Sequence, residues 1–149
     1  MLTNAIKGIW ENKPKLSIVF WAACVLVYAV GTLAILAILV PDLDAILDSE
    51  NFSNGVAFKL SSIRVSIIAI SLAIFPYLLW KKRKIALIFL KIITAWTITM
   101  YIDDYLVLYD LVKYPDLAIV KIVFALRPFV IIALAWMCLE LNFRSSQGY

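Results

Sequence analysis

Long apolar stretches separated by short charged ones dominate the sequence. The apolar stretches cover residues 16–40, 60–80, 85–102 and 117–139. Each is close to the length of about 20 residues that an α-helix needs to cross a hydrocarbon core. Backbone groups in lipid must bond internally, and a β-barrel would show short alternating strands instead. The pattern therefore predicts an all-α integral membrane protein, a four-transmembrane-helix bundle that forms one domain over residues 1–149.

Composition supports this class and excludes several others. Hydrophobic residues make up 64% of the chain, and its mean hydropathy is +0.96, more apolar surface than a soluble domain of this size buries. The chain has no histidine, which excludes histidine-based zinc sites and Ser-His-Asp triads. Cys24 and Cys138 lie in separate apolar stretches and are predicted to stay reduced. We therefore expect no catalytic or metal site and no cofactor.

The N-terminal residues 1–15 differ from the apolar stretch that follows them. Their apolar residues share one helix face and alternate with lysines, which predicts a short amphipathic interfacial helix. The stretch 16–40 is too long for a typical signal peptide and lacks an Ala-x-Ala cleavage site, so we expect it to be the first transmembrane helix. Residues 41–59 are polar and acidic and contain the turn signal Asn54-Gly55, so they are predicted to form a solvated loop.

Basic residues are distributed unevenly about the four predicted helices. Eight of the 14 lie in residues 1–15, in the cluster 81–84 and at Arg144, whereas the other two loops hold only Lys59 and Lys113. Eight of the 10 acidic residues lie in those two loops. Because cytoplasmic loops carry the excess of lysine and arginine, we expect both termini in the cytoplasm, an N-in/C-in topology. Basic residues that flank membrane segments do not form a nucleic-acid interface.

Arg127 is the residue with the most unusual position. It lies ten residues past Leu117, which places it roughly 15 Å into the fourth helix. An arginine at the centre of a membrane helix costs about 2.5–3.5 kcal/mol, so we expect it to face the bundle interior, a watery cavity or a partner's acid. Pro128 follows it and frees a backbone carbonyl that a guanidinium could meet. An arginine that only locks helix packing is the alternative.

Two further basic residues, Arg64 and Lys121, lie about one turn inside the outer boundaries of the second and fourth helices. Snorkelling explains each of them separately. Together with Arg127 they predict a positive layer in the outer half of the bundle, with no acid at the same depth. Such a layer suits an outward-open pocket for an anion, a lipid phosphate or a partner's acidic side chain.

An acidic and aromatic segment follows the third helix. Tyr101, Tyr105 and Tyr109 repeat at helical spacing, which is typical of an interfacial aromatic belt. The sharper hypothesis is that Asp103 or Asp104 folds back to neutralise Arg64 or Lys121 and closes the outer mouth. No helix is predicted to carry a membrane-embedded aspartate or glutamate, which disfavours a carboxylate proton relay.

A family resemblance is carried by the segment from Trp80 through the basic cluster 81–84 and the third helix. It is also carried by Arg127, Trp136 and the tail Arg144-Ser145. These features resemble the bacterial four-helix membrane proteins of domain-of-unknown-function family 2569. The resemblance implies residence in the bacterial inner membrane and no activity.

The sequence favours a non-enzymatic accessory or immunity-type subunit, which recognises another membrane protein or a second copy of itself within the lipid bilayer. The alternative is a small oligomeric channel or carrier for an anion or lipid headgroup. An intramembrane enzyme, whose acidic loops hold a metal without histidine, is a third possibility. The predicted contacts with a ligand or partner are Arg127, Arg64, Lys121, Asp103, Asp104 and Tyr105.

Overall fold

The computed structural model describes residues 16–39, 52–106 and 118–146. These residues form helices α1 (Ile18–Leu39), α2 (Phe52–Lys81), α3 (Arg83–Leu106) and α4 (Ala118–Ser146). All four helices of the described part are long and apolar enough to cross a membrane. The prediction of an all-α protein with four helices long and apolar enough to span a membrane is confirmed.

The helices pack as a ring in which each contacts its two neighbours. α1 packs against α2 and α4, and α3 packs against the same two helices from the opposite corner. Tyr28 of α1 contacts Leu72 of α2, whereas Gly31, farther along α1, lies against Ile68, farther back along α2. Neighbouring helices are therefore antiparallel. The same reversal joins the other neighbours: Ser17 with Glu140, Arg64 with Asp104, and Thr94 with Cys138.

The antiparallel ring has two different ends. At the Asp104 end, α2 and α4 begin and α1 and α3 finish; at the Glu140 end, α1 and α3 begin and α2 and α4 finish. A buried core cluster lies nearer the Glu140 end, where Phe20 and Met137 are completely enclosed. Large apolar side chains also cover the outside of all four helices, as Val25, Ile70, Ile92 and Ile132 show. Because such a surface is stable in lipid and not in water, the bundle contacts the bilayer.

A proline determines the geometry of the seam between α1 and α2. Pro76 lies inside α2 and has no backbone N–H, so the carbonyl of Leu72, one turn earlier, lacks its usual helical donor. The Tyr28 hydroxyl donates to that carbonyl oxygen at 2.7 Å. Close approach is possible because Gly31 faces the same turn, where a Cβ atom would lie 2.7 Å from Cδ1 of Leu72. The freed carbonyl is thus satisfied from the neighbouring helix.

Three helices extend beyond their predicted boundaries. α2 begins at Phe52, so Asn54-Gly55 lies within a helix and the predicted turn there is wrong. α3 continues to Leu106, and α4 continues through the predicted polar tail to Ser146. The apolar pattern marks only the part of a helix that lipid solvates, and polar residues can continue the helix past that part. The predicted interfacial helix over 1–15 and the acidic residues 42–50 lie outside the described residues.

Neither Cys24 nor Cys138 forms a disulfide among the described residues. Both pack against the core cluster, and the Cys138 Sγ lies 3.4 Å from the Thr94 Oγ1. They therefore act as small packing residues at helix contacts.

Candidate functional site

Charged side chains from three helices meet near the Asp104 end. The Cα–Cβ bonds of a helix tilt towards its N-terminus, so Asp104, near the end of α3, points back into the bundle. Arg127 lies on the antiparallel helix α4, and the same tilt directs its long side chain towards Asp104. The Arg127 Nη1 donates a hydrogen bond to Oδ2 of Asp104. Antiparallel packing thus brings together the side chains of Asp104, near the end of α3, and Arg127, farther from the start of α4.

Arg64 of α2 completes this group, which we call the Asp104 cluster: Arg64, Asp103, Asp104 and Arg127. The Arg64 Nη1 donates to the Asp104 Oδ1 at 2.6 Å, and its Nη2 donates to the Asp103 Oδ2 at 2.9 Å. Each carboxylate oxygen of Asp104 therefore binds a guanidinium from a different helix. Two arginines and two aspartates give the cluster a formal charge of zero.

Burial decides what each member of the cluster can do. The side chains of Asp104 and Arg64 are 1% and 9% exposed, whereas that of Asp103 is 36% exposed. Removing one partner from a buried ion pair costs about 3–5 kcal/mol, because the other charge is left behind in a medium that solvates it poorly. The Arg127 guanidinium also lies 4.1 Å from the centre of the Phe124 ring, a cation–π contact. Asp104 is thus the structural centre, and Asp103 is accessible at the rim.

These contacts correct two predictions. The expected positive layer without an acid is wrong, because Asp104 binds both Arg64 and Arg127. The placement of the two aspartates in a loop is also wrong, since Asp103 and Asp104 lie within helix α3 and Asp104 is buried. Both errors arose from ending the third helix at residue 102, which placed the acids in an outer loop.

The hypothesis that Asp103 or Asp104 neutralises Arg64 agrees better with the structure. Both aspartates form ion pairs with Arg64, although they do so from within helix α3. Lys121 is exposed on α4. Tyr105 belongs to α3, but the structure does not describe its side chain. Tyr109 lies outside the described residues.

A second polar site, at the Glu140 end, was not anticipated. The Glu140 Oε1 accepts a hydrogen bond from the Ser17 backbone N–H at 2.7 Å, and its Oε2 accepts from the Ser17 hydroxyl at 2.5 Å. The Ser17 Oγ in turn accepts from the backbone N–H of Phe20 at 3.1 Å, which makes Ser17 the N-cap of α1.

This arrangement reproduces a capping box with its acid taken from another helix. In the usual box, a glutamate three residues after the N-cap bonds back to the N–H of the cap residue. Phe20 occupies that position here, and Glu140 of α4 supplies the carboxylate. A serine before an apolar run was a visible N-cap signal, but an acid 123 residues away could not be assigned to it.

Metal binding finds no support in the described part of the chain, where no group of three or more histidine, cysteine, aspartate or glutamate side chains could hold an ion. The acidic residues 42–50, 110 and 116, which the metal hypothesis invoked, lie outside that part.

Comparisons with known proteins leave the family open. No family model matches the chain, and neither the curated proteins nor the solved structures contain a match. The resemblance to family 2569 therefore does not assign the chain to that family.

Proposed function

We propose that this chain is a non-enzymatic membrane protein, an accessory or immunity-type subunit that recognises another membrane component. The observation that supports this function is the internal neutralisation of the Asp104 cluster. An anion channel or carrier needs cations that remain available to its substrate, whereas Arg64 and Arg127 both bind Asp104. A neutral cluster that joins three helices instead provides a fixed surface at this end of the bundle.

The proposal includes an N-in/C-in topology in a bacterial inner membrane, with residues 1–15 as an interfacial helix. In this orientation the Asp104 end faces outward, and the basic residues 81–84 face the cytoplasm. A partner protein or a second copy of the chain would then meet Asp103, Lys121 and Tyr105. Asp103 uses Oδ2 for Arg64 and is partly exposed, so its Oδ1 can accept a hydrogen bond from a basic or polar partner group.

The alternative function is a small oligomeric channel or carrier for an anion or a lipid headgroup. The exposed Lys121 favours it, because a cation at the rim attracts anions. In this mechanism the Asp104 cluster would have to open, so that Arg64 and Arg127 exchange Asp104 for the transported anion.

Two measurements distinguish these functions. A tagged full-length chain is extracted from its native membrane in a mild detergent, and the co-purifying membrane proteins are quantified for the wild type, Asp103→Lys and Lys82→Asp. The two variants reverse one exposed charge at opposite ends of the bundle. The proposed function predicts a stoichiometric partner that Asp103→Lys removes and Lys82→Asp retains.

The second measurement is anion flux into proteoliposomes. The proposed function predicts the same flux as in empty liposomes. Flux that increases with protein content, together with the lack of any stoichiometric partner, would overturn the proposal and support the channel or carrier.

A further inference from the structure

A groove lies at the Glu140 end, on the outside of the bundle. It has a volume of about 630 Å³ and runs beside the last turns of α4 and the start of α1. Its apolar walls include Trp136, Leu139 and Phe143, all of which expose large side chains. Ser17, Glu140 and Arg144 provide its polar part. The groove thus combines apolar walls with a charged region at the end of the membrane-spanning helices.

Arg144 retains most of its hydrogen-bonding capacity. It donates to the Glu140 Oε1 through Nε alone, at 3.2 Å. The Glu140 carboxylate already accepts both donors of Ser17. In the described part of the chain, no acceptor is found for Nη1 or Nη2 of Arg144. These two groups form the planar fork that binds two oxygens of a phosphate at once.

A second arginine lies at the same end of the bundle. Arg83 is the first residue of α3, Arg144 lies in the last turn of α4, and their two positive charges repel each other. Arg83 has no acidic partner among the described residues. The N-terminus of α3 adds its own partial positive charge at this point. Two positive charges at the end of the bundle where a helix begins favour an anion beside them.

We propose that this groove binds an anionic phospholipid. Arg144 and Arg83 bind its phosphate, and its acyl chains lie along Trp136, Leu139 and Phe143. A lipid fits better than a soluble anion, because the apolar walls are exposed towards the bilayer. A net negative lipid fits better than a zwitterionic one, since Glu140 is the one acid among the described residues that line the groove, and one carboxylate cannot neutralise two arginines. This site is separate from the Asp104 cluster and does not depend on the proposed function.

The test compares lipid binding to the delipidated full-length protein in detergent. Phosphatidylglycerol and phosphatidylcholine with identical acyl chains are titrated, and bound lipid is counted by native mass spectrometry while thermal stability is followed in parallel. The wild type should bind phosphatidylglycerol more tightly and gain stability from it. Arg83→Gln and Arg144→Gln should each weaken that binding about tenfold, the effect of losing a charge-assisted hydrogen bond. Phe143→Ala should weaken it without any change in charge.

Lys82→Gln is the matched control, because it removes one positive charge next to Arg83 in the sequence without removing Arg83 or Arg144. It should change binding less than about twofold. Arg83→Gln leaves the Arg144–Glu140 pair intact, so it remains informative if Arg144→Gln folds poorly. Equal binding of the two lipids would overturn the proposal. An equal loss of phosphatidylglycerol binding in Lys82→Gln and Arg83→Gln would also overturn it, because that result indicates general attraction to a positive surface. Millimolar inorganic phosphate that displaces the lipid or reproduces its stabilisation would also overturn it, in favour of a soluble anion.

Discussion

The carboxylate of Asp104 accepts a hydrogen bond from Arg64 at 2.6 Å, although the two residues lie on different helices and 40 positions apart. Asp104 is the most buried member of the neutral Asp104 cluster. Its other carboxylate oxygen binds Arg127. A buried carboxylate with two guanidinium partners couples α2, α3 and α4 at one end of the bundle. The consequences for stability can be tested separately from any function of the exposed rim.

Replacing Asp104 by asparagine should destabilise the bundle strongly. The amide is uncharged and cannot neutralise the buried Arg64 and the partly buried Arg127, so we expect a loss of about 3–5 kcal/mol in the free energy of unfolding. Unfolding in detergent can be followed with a thiol-reactive fluorophore, since Cys24 and Cys138 are partly buried against the core cluster and become more reactive when the helices separate. Asp103→Asn is the control: its side chain is 36% exposed, and we expect a loss below about 1 kcal/mol. Equal losses in the two variants would contradict the central position of Asp104.

Arg127 should be coupled energetically to Asp104 and not to Asp103. In a double-mutant cycle of Arg127→Leu and Asp104→Leu, the effects on unfolding should deviate from additivity by about 0.5–3 kcal/mol. The corresponding cycle with Asp103→Leu should be additive within about 0.5 kcal/mol. Arg127→Lys should retain part of the stability, because it keeps the charge but not the planar fork. Additivity in the Arg127 and Asp104 cycle would show that this ion pair contributes nothing to the bundle.

The Tyr28 hydroxyl should matter only because Pro76 is present. Tyr28→Phe leaves the Leu72 carbonyl without its donor in an apolar environment, so we expect a loss of about 1 kcal/mol. In a Pro76→Ala background, residue 76 supplies the missing backbone N–H to that carbonyl. Tyr28→Phe should then cost close to nothing. Unfolding in mixed micelles gives both free energies, and an equal loss in the two backgrounds would contradict the compensation.

The sequence predicts the four helices because each apolar stretch matches the thickness of a bilayer, and it predicts the fold-back of the acids onto Arg64 as one of two alternatives. The depth of Asp104 could not be obtained in this way. It depends on how far α3 continues past its apolar stretch and on the antiparallel packing that directs Asp104 and Arg127 towards each other. The Ser17–Glu140 contact joins opposite parts of the chain, and an apolar pattern contains no information about such long-range pairs.

The proposed topology predicts opposite accessibility for positions 82 and 103. Single cysteines are introduced at each position in a protein whose Cys24 and Cys138 have been replaced by alanine. In intact cells, an impermeant thiol reagent should label position 103 and not position 82, because the basic cluster 81–84 stays in the cytoplasm. After the membrane is permeabilised, both positions should react. Labelling of position 82 in intact cells would reverse the orientation.

Ser17→Asp should be destabilising here, although aspartate is among the best N-cap residues of isolated helices. The serine hydroxyl both donates to Glu140 and accepts from Phe20, whereas a carboxylate can only accept. Ser17→Asp therefore places two negative groups against each other and should lower stability more than Ser17→Ala, for which we expect about 1 kcal/mol. Glu140→Gln should reverse this order, because a neutral amide donates to the carboxylate introduced at position 17 and removes the repulsion. Hydrogen exchange of the first-turn amides of α1, measured with global unfolding, separates local fraying from loss of the fold. If the Ser17→Asp protein matched the wild type in both measurements, Glu140 could not be the acid that completes the cap.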